Sequence, residues 1–184
     1  MKIIAFLGAN AAGKTTTGNL LKEQNSKIVY ICAGDLLRRE ILLETTFGLE
    51  YKSKLAAGEF APVDVMNNLL LKEIKDTSHE NVDYIILDGF PRTQEQLDFA
   101  NEHLVIDKCI YFDITDFSVI LNRSLLRGRV DDTEEIIKKR LDKFHEVTTP
   151  VVQYYRSIDK LVSVDACRDS SVVTEDVARI IKEI

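Results

Sequence analysis

The sequence predicts a three-layer α/β domain in which a five-stranded parallel sheet is covered by helices on both faces. Three observations carry that prediction. Short apolar runs alternate with longer helical patterns along the chain, so successive strands are joined by crossover helices. The runs are continuously apolar rather than alternating, as strands buried on both faces are. Finally, 184 residues with 45% hydrophobic content suit one domain with a substantial core.

In order, KIIAFL (residues 2–7) reads as the first strand and TTTGNLLKEQ as an amphipathic helix after it. KIVYI (27–31) is a strand, and GDLLRREILLET a helix with Gly34 and Asp35 as turn and N-cap candidates. Helical segments around YKSKLAA and VDVMNNLLLKEI follow, separated by Gly58 and Pro62. VDYIILD (82–88) is a strand ending in an acid; GFPRT breaks the chain, and Thr93 opens a helix with Gln96 three residues on, the spacing of a capping box. KCIYFDI is the fourth strand, and FSVILNRSLLR a helix stopping at Gly128. EEIIKKRLDKFHEVTT is a long helix interrupted near Pro150, KLVSVD the fifth strand and TEDVARIIKEI the closing helix. No repeat, low-complexity tract or linker divides the chain.

Between the first strand and helix lies GANAAGKTT, with Gly8, Gly13, Lys14 and Thr15 in the spacing GxxxxGK followed by Ser or Thr. At ordinary residue frequencies this pattern arises by chance in about one chain of this length per hundred or fewer. Glycines let the loop curl so that successive N–H groups point at an anion, at the positive end of the following helix. Lys14 reaches the β- and γ-phosphates of a nucleoside triphosphate in such a loop, and the Thr15 hydroxyl a Mg²⁺ ion. A strand-to-helix turn of small residues is the plainer reading; the strand-loop-helix context favours phosphate.

The net charge of −6 argues against a general nucleic-acid or anionic-membrane binder. Within that acidic chain Arg123, Arg127, Arg129 and Arg140 cluster, which suggests a local, highly charged anionic ligand over a solvated helix face. No run reaches the ~20 apolar residues of a membrane span, and the N-terminal run is shorter than the ~7 a signal peptide needs, so a cytoplasmic protein is expected. Cys32, Cys109 and Cys167 have no CxxC spacing and read as buried free thiols; His79, His103 and His145 read as isolated surface residues.

Ligands of a parallel sheet bind at the carboxyl ends of its strands. That end gathers Gly8, Asp35, Asp88 and the region of residues 123–129. Asp88 closes an apolar run in the manner of an acid that orients water on Mg²⁺, against the alternative of a turn cap. No glutamate follows it and no NKxD occurs, so motor ATPase and GTPase signatures are missing.

GANAAGKT, CAGDLLR, DGFPRT with its Gln, and GRVDD followed by KKRL together resemble the nucleoside monophosphate kinases, adenylate kinases most closely, from Lys2 to about Asp165. The resemblance implies a P-loop NTPase fold: a core of residues 1–33, 65–126 and 133–184, a small helical NMP-binding insertion at 34–64 and a very short lid at 127–132. It implies ATP on Gly8, Ala9, Asn10, Ala11, Ala12, Gly13, Lys14, Thr15 and Thr16, with Arg123 and Arg127. The acceptor is implied at Ala33, Gly34, Arg38, Gly89, Arg92, Gln96, Arg129 and Arg140: Arg38 and Arg92 on its phosphate, Gln96 on its base edge and Gly89 beneath the base. Lys14, Arg92, Arg123, Arg129 and Arg140 carry catalysis in this reading. Asp131 and Asp132 match lid acids that position the arginines, and Mg²⁺ rests on Thr15 and, through water, Asp88.

The implied activity is reversible transfer of the ATP γ-phosphoryl group to AMP, giving two ADP. The chain departs from the family pattern in its ANAA loop, in a lid with one glycine between Arg127 and Arg129, and in Ala33. Ala33 makes CAGDLL resemble the SAGDLL of UMP/CMP kinases, whereas Arg92, Thr93 and Gln96 resemble adenylate kinases. AMP is the acceptor expected, with a pyrimidine monophosphate as the alternative. A catalytically weak nucleotide-binding module is the alternative from another class; a kinase of another small molecule fits GFPRTQEQ poorly. No protein, nucleic-acid or membrane partner is indicated, and a monomer is expected.

Overall fold

The computed structural model describes residues 1–57, 59, 61–77, 81–128 and 132–184. Its centre is β1 (Lys2–Gly8), whose residues Ile3 to Leu7 are all buried. β2 (Ile28–Cys32), β3 (Tyr84–Asp88), β4 (Ile106–Asp113) and β5 (Leu161–Asp165) complete an all-parallel sheet in the order β2-β3-β1-β4-β5. Successive residues of a strand face opposite sides, so β1 feeds two cores. Ile3, Ala5 and Leu7 pack beneath α2 (Ala33–Leu42), α4 (Val63–Thr77), α5 (Gln94–His103) and α8 (Thr149–Ser157). Ile4 and Phe6 pack beneath α1 (Lys14–Gln24), α6 (Phe117–Arg127), α7 (Glu134–Lys143) and α9 (Ser170–Lys182). Burial on both faces is why the strands read as unbroken apolar runs. α3 (Thr46–Ala56) lies across α2, with Gly48 directly over the Glu40 carbonyl.

The predicted strands are all present, but their ends move by one or two residues. Residues 82 and 83 precede the β3 ladder, and β4 starts at Ile106 because Ile3 is there to pair with it. A strand ends where its partner ends, which apolar runs do not encode. The Asp35 N-cap is corrected: α2 begins at Ala33 with no side-chain cap, and Asp35 instead pairs with Arg38 one turn on. Only half of the predicted capping box forms. Thr93 Oγ1 accepts from the Gln96 N–H at 3.3 Å, while Gln96 Oε1 accepts from the Arg92 N–H at 2.8 Å, one residue earlier than a reciprocal box requires.

The interruption near Pro150 is a wide π turn, Phe144–Thr148, between α7 and α8. Proline offers no N–H and its ring crowds the carbonyl four residues earlier, so the helix widens before restarting at Thr149. Gly128 stops α6 at φ 68°. The thiols are free, but only Cys109 is buried; Cys32 is half-buried and Cys167 exposed on the turn after β5, which corrects the expectation of three buried ones. His103 and His145 are exposed as expected, and His79 lies outside the described residues. No helix among the described residues is long and apolar enough to cross a membrane.

Candidate functional site

Register aligns the strand ends: Cys32 pairs with Asp88, Asp88 with Phe6, and Gly8 with Phe112. Over that edge lies a cleft of about 1200 Å³. The loop of residues 8–13 forms its floor. At Gly8 a Cβ would sit 2.7 Å from the Phe112 carbonyl oxygen, so only glycine lets the loop leave β1 beside β4. Gly13 takes the cap position of α1 with no side chain to offer. The first N–H groups of α1 therefore receive no side-chain cap from Gly13, and at the floor of the cleft they suit an anion.

Lys14 is buried and folds back, Nζ donating to the carbonyls of Gly8 and Ala9 at 2.8 Å each. Burial lowers its pKa from 10.5 to about 8, with Asp88 opposing the shift and Arg92 adding to it. A phosphate seated on the loop favours the charged form. Triphosphate affinity is therefore expected to be flat below pH 8 and to fall by up to ~10-fold per unit as pH rises through 8, where free Lys14 loses its proton. Dissociation constants for ATP between pH 6.5 and 9.5 test this, and Lys14→Met should flatten that part of the profile.

Thr15 Oγ1 donates to Asp88 Oδ2 at 3.0 Å, and Asp88 Oδ1 is buried with no partner among the described residues. An orphaned buried carboxylate oxygen beside a hydroxyl suits a hydrated divalent cation. The described residues hold no group of three or more His, Cys, Asp or Glu side chains that could hold a metal ion. Sequence reasoning missed one participant: the Tyr30 hydroxyl donates to the same Asp88 oxygen. A tyrosine inside an apolar strand reads as core, and only its position beside β3 reveals the contact.

The acceptor-side arginines stand opposite. Arg92 lines the cleft, its Nε donating to the Gly89 carbonyl at 2.8 Å. Arg38 is held by Asp35 from the same helix, with Gly34, Leu37 and Ile41 beside it on the wall. Ala33 and Gln96 are both 5% exposed and lie behind the wall rather than on it, as does Ala9. Asn10 to Thr16 all line the cleft.

On the third side, Asp132 draws two arginines together. Arg127 grips it with a two-pronged fork, Nε to Oδ2 at 2.9 Å and a terminal nitrogen to Oδ1 at 2.7 Å, and Arg140 reaches Oδ1 at 3.4 Å. The acid's side chain is 1% exposed. Arg123 lines the cleft as well, and its guanidinium donates to the carbonyls of Ala166, Cys167 and Arg168, bracing the turn between β5 and α9 that forms the cleft's far wall. Three carbonyls in a row are a tertiary feature, invisible in the spacing of the arginines. Arg129 and Asp131 lie outside the described residues, as does Val130. The wall is thus basic on an acidic chain and holds fixed donors on three sides, which fits two polyanions face to face.

The family model described as adenylate kinase matches residues 6–160. Among curated relatives, a protein named adenylate kinase from Prochlorococcus marinus (strain MIT 9301) is 36% identical over 181 residues, spanning 96% of this chain and 96% of the relative. One of the same name from Oenococcus oeni (strain ATCC BAA-331 / PSU-1) is 30% identical over 188 residues, spanning 100% and 99%. A third, from Corynebacterium aurimucosum, is 37% identical over 166 residues, spanning 88% of each.

Proposed function

This chain belongs to the adenylate kinase family, and from that premise we propose that its cleft holds ATP on the loop of residues 8–16 and AMP against α2 and the turn from Gly89 to Gln96. The activity is reversible transfer of the ATP γ-phosphoryl group to AMP. The observation that carries the site assignment is the convergence of Lys14, Arg92, Arg127 and Arg140 on one cleft, from elements far apart in sequence.

No general base is needed. A phosphate monoester has a second pKa near ~6, so the acceptor oxygen is already anionic at neutral pH and attacks in line. The protein supplies positioning and charge. Lys14, released from the Gly8 and Ala9 carbonyls, serves the β- and γ-phosphates, and the N–H groups at the start of α1 hold the β-phosphate. Arg38 and Arg92 orient the acceptor phosphate, with Gln96 toward the base edge once the acceptor side opens. Arg127 and Arg140, preset by Asp132, face the transferring group, with Arg129 between them in sequence. Arg123 serves the ATP end by holding the turn of residues 166–168. Thr15, and Asp88 through water, would hold Mg²⁺, which would supply charge compensation to the triphosphate. The insertion at 34–64 and the lid at 127–132 close the cleft and exclude water that would otherwise hydrolyse ATP.

A coupled assay with ATP·Mg²⁺ and AMP, dAMP, CMP, UMP, GMP or dTMP tests this reading. AMP is expected to give the highest kcat/KM. Turnover of a pyrimidine alone overturns the acceptor assignment, and tight binding of a bisubstrate dinucleotide with no turnover of any acceptor overturns the catalytic one.

A further inference from the structure

Tyr30 lies with its ring against the backbone of α1 at Gly18, where a Cβ would collide with the ring; glycine there makes its seat. From that seat the phenolic hydroxyl donates to Asp88 Oδ2 at 2.5 Å, the oxygen that also accepts from Thr15 at 3.0 Å. Two donors on one oxygen set the rotation of the carboxylate and leave Oδ1 as its unpartnered side among the described residues. Packing alone has no use for the hydroxyl, since phenylalanine would fill the same space. Burial, and then the negative charge of Asp88, hold the phenol well above its ordinary pKa, so it remains a donor at any working pH.

We propose that Tyr30 is a positioning residue for the divalent cation of the ATP site, its hydroxyl holding Asp88 so that Oδ1 faces the ion's water shell. This rests on the reading of Thr15 and Asp88 as the metal end of that site. Tyr30 touches neither nucleotide nor ion and acts through the acid. Partners of this kind, which orient the groups around a metal, typically change its affinity more than tenfold when removed.

The test measures binding without turnover. Affinity for a non-hydrolysable ATP analogue is titrated against Mg²⁺ and in EDTA, for the wild type, Tyr30→Phe, Asp88→Asn and the double variant. Tyr30→Phe is expected to raise the Mg²⁺ concentration at half-effect about tenfold, the loss of one hydrogen bond to a charged group, while affinity in EDTA stays within about twofold. In the Asp88→Asn background the same change should have no further effect. An unchanged Mg²⁺ requirement in Tyr30→Phe overturns the proposal, and so does an equal loss with and without Mg²⁺, the mark of packing alone. A wild-type chain whose affinity ignores Mg²⁺ overturns both this proposal and the reading beneath it.

Discussion

Lys14→Met is expected to lower kcat/KM for ATP and AMP by at least ~100-fold, because the variant removes the one buried cation placed on the phosphate loop and leaves the charge on the moving phosphoryl group without it. Methionine matches the length of the lysine stem, so the loop keeps its packing. Stability should behave differently from activity. The lysine's pKa falls from 10.5 in the unfolded chain to about 8 in the folded one, so the folded state holds fewer protons between those values. Folding stability from this group therefore rises with pH across that window, and below pH 8 the buried charge opposes folding by roughly 3 kcal/mol at about 1.4 kcal/mol per unit. Two hydrogen bonds to the Gly8 and Ala9 carbonyls offset part of that. The melting temperature of Lys14→Met at pH 7 is accordingly expected to equal or exceed that of the wild type. Near-normal turnover would refute the mechanism; a collapse in melting temperature would refute the electrostatic account.

Asp132→Ala is expected to damage fold and activity together. The acid is buried and takes three hydrogen bonds from Arg127 and Arg140, the latter 13% exposed. Removing a buried acid takes from Arg127 its two-pronged partner and from Arg140 one contact, and breaking such a buried ion pair costs about 3–5 kcal/mol. Arg127 is 30% exposed and regains water, so the low end applies. A loss of about 3 kcal/mol corresponds to a drop of roughly 6–12 °C in a domain of this size, measurable by thermal melts monitored by circular dichroism. With the two arginines no longer preset toward the cleft, kcat should fall about 100-fold even where the variant remains folded. A melting temperature within about 2 °C of wild type would show that the cluster does not hold this corner of the molecule.

The fold was largely legible. Continuous apolar runs, helical patterns between them and a phosphate-loop spacing depend on local residue order, and each survives in the structure as a parallel strand, a crossover helix or the loop at residues 8–13. Element ends were less legible. The start of β4 follows from where Ile3 lies, and the π turn from how Pro150 is accommodated within a packed helix.

The site divides along the same line. Residue order alone displays the chemistry proposed for the site: a phosphate-loop spacing with Lys14 and Thr15, an acid at the end of the third strand and a group of arginines in an acidic chain. Residue types and short spacings carry that information because phosphate binding by a loop is a local property of backbone and helix end. Which groups meet follows from packing and strand order. These set Tyr30 beside Thr15 on Asp88, gave Arg127 and Arg140 the same acid, turned Arg123 onto the carbonyls of residues 166–168, and drew Ala33 and Gln96 behind the cleft wall. These partners are tens of residues apart in most cases, and their meeting depends on strand order and register, which no single stretch of sequence contains.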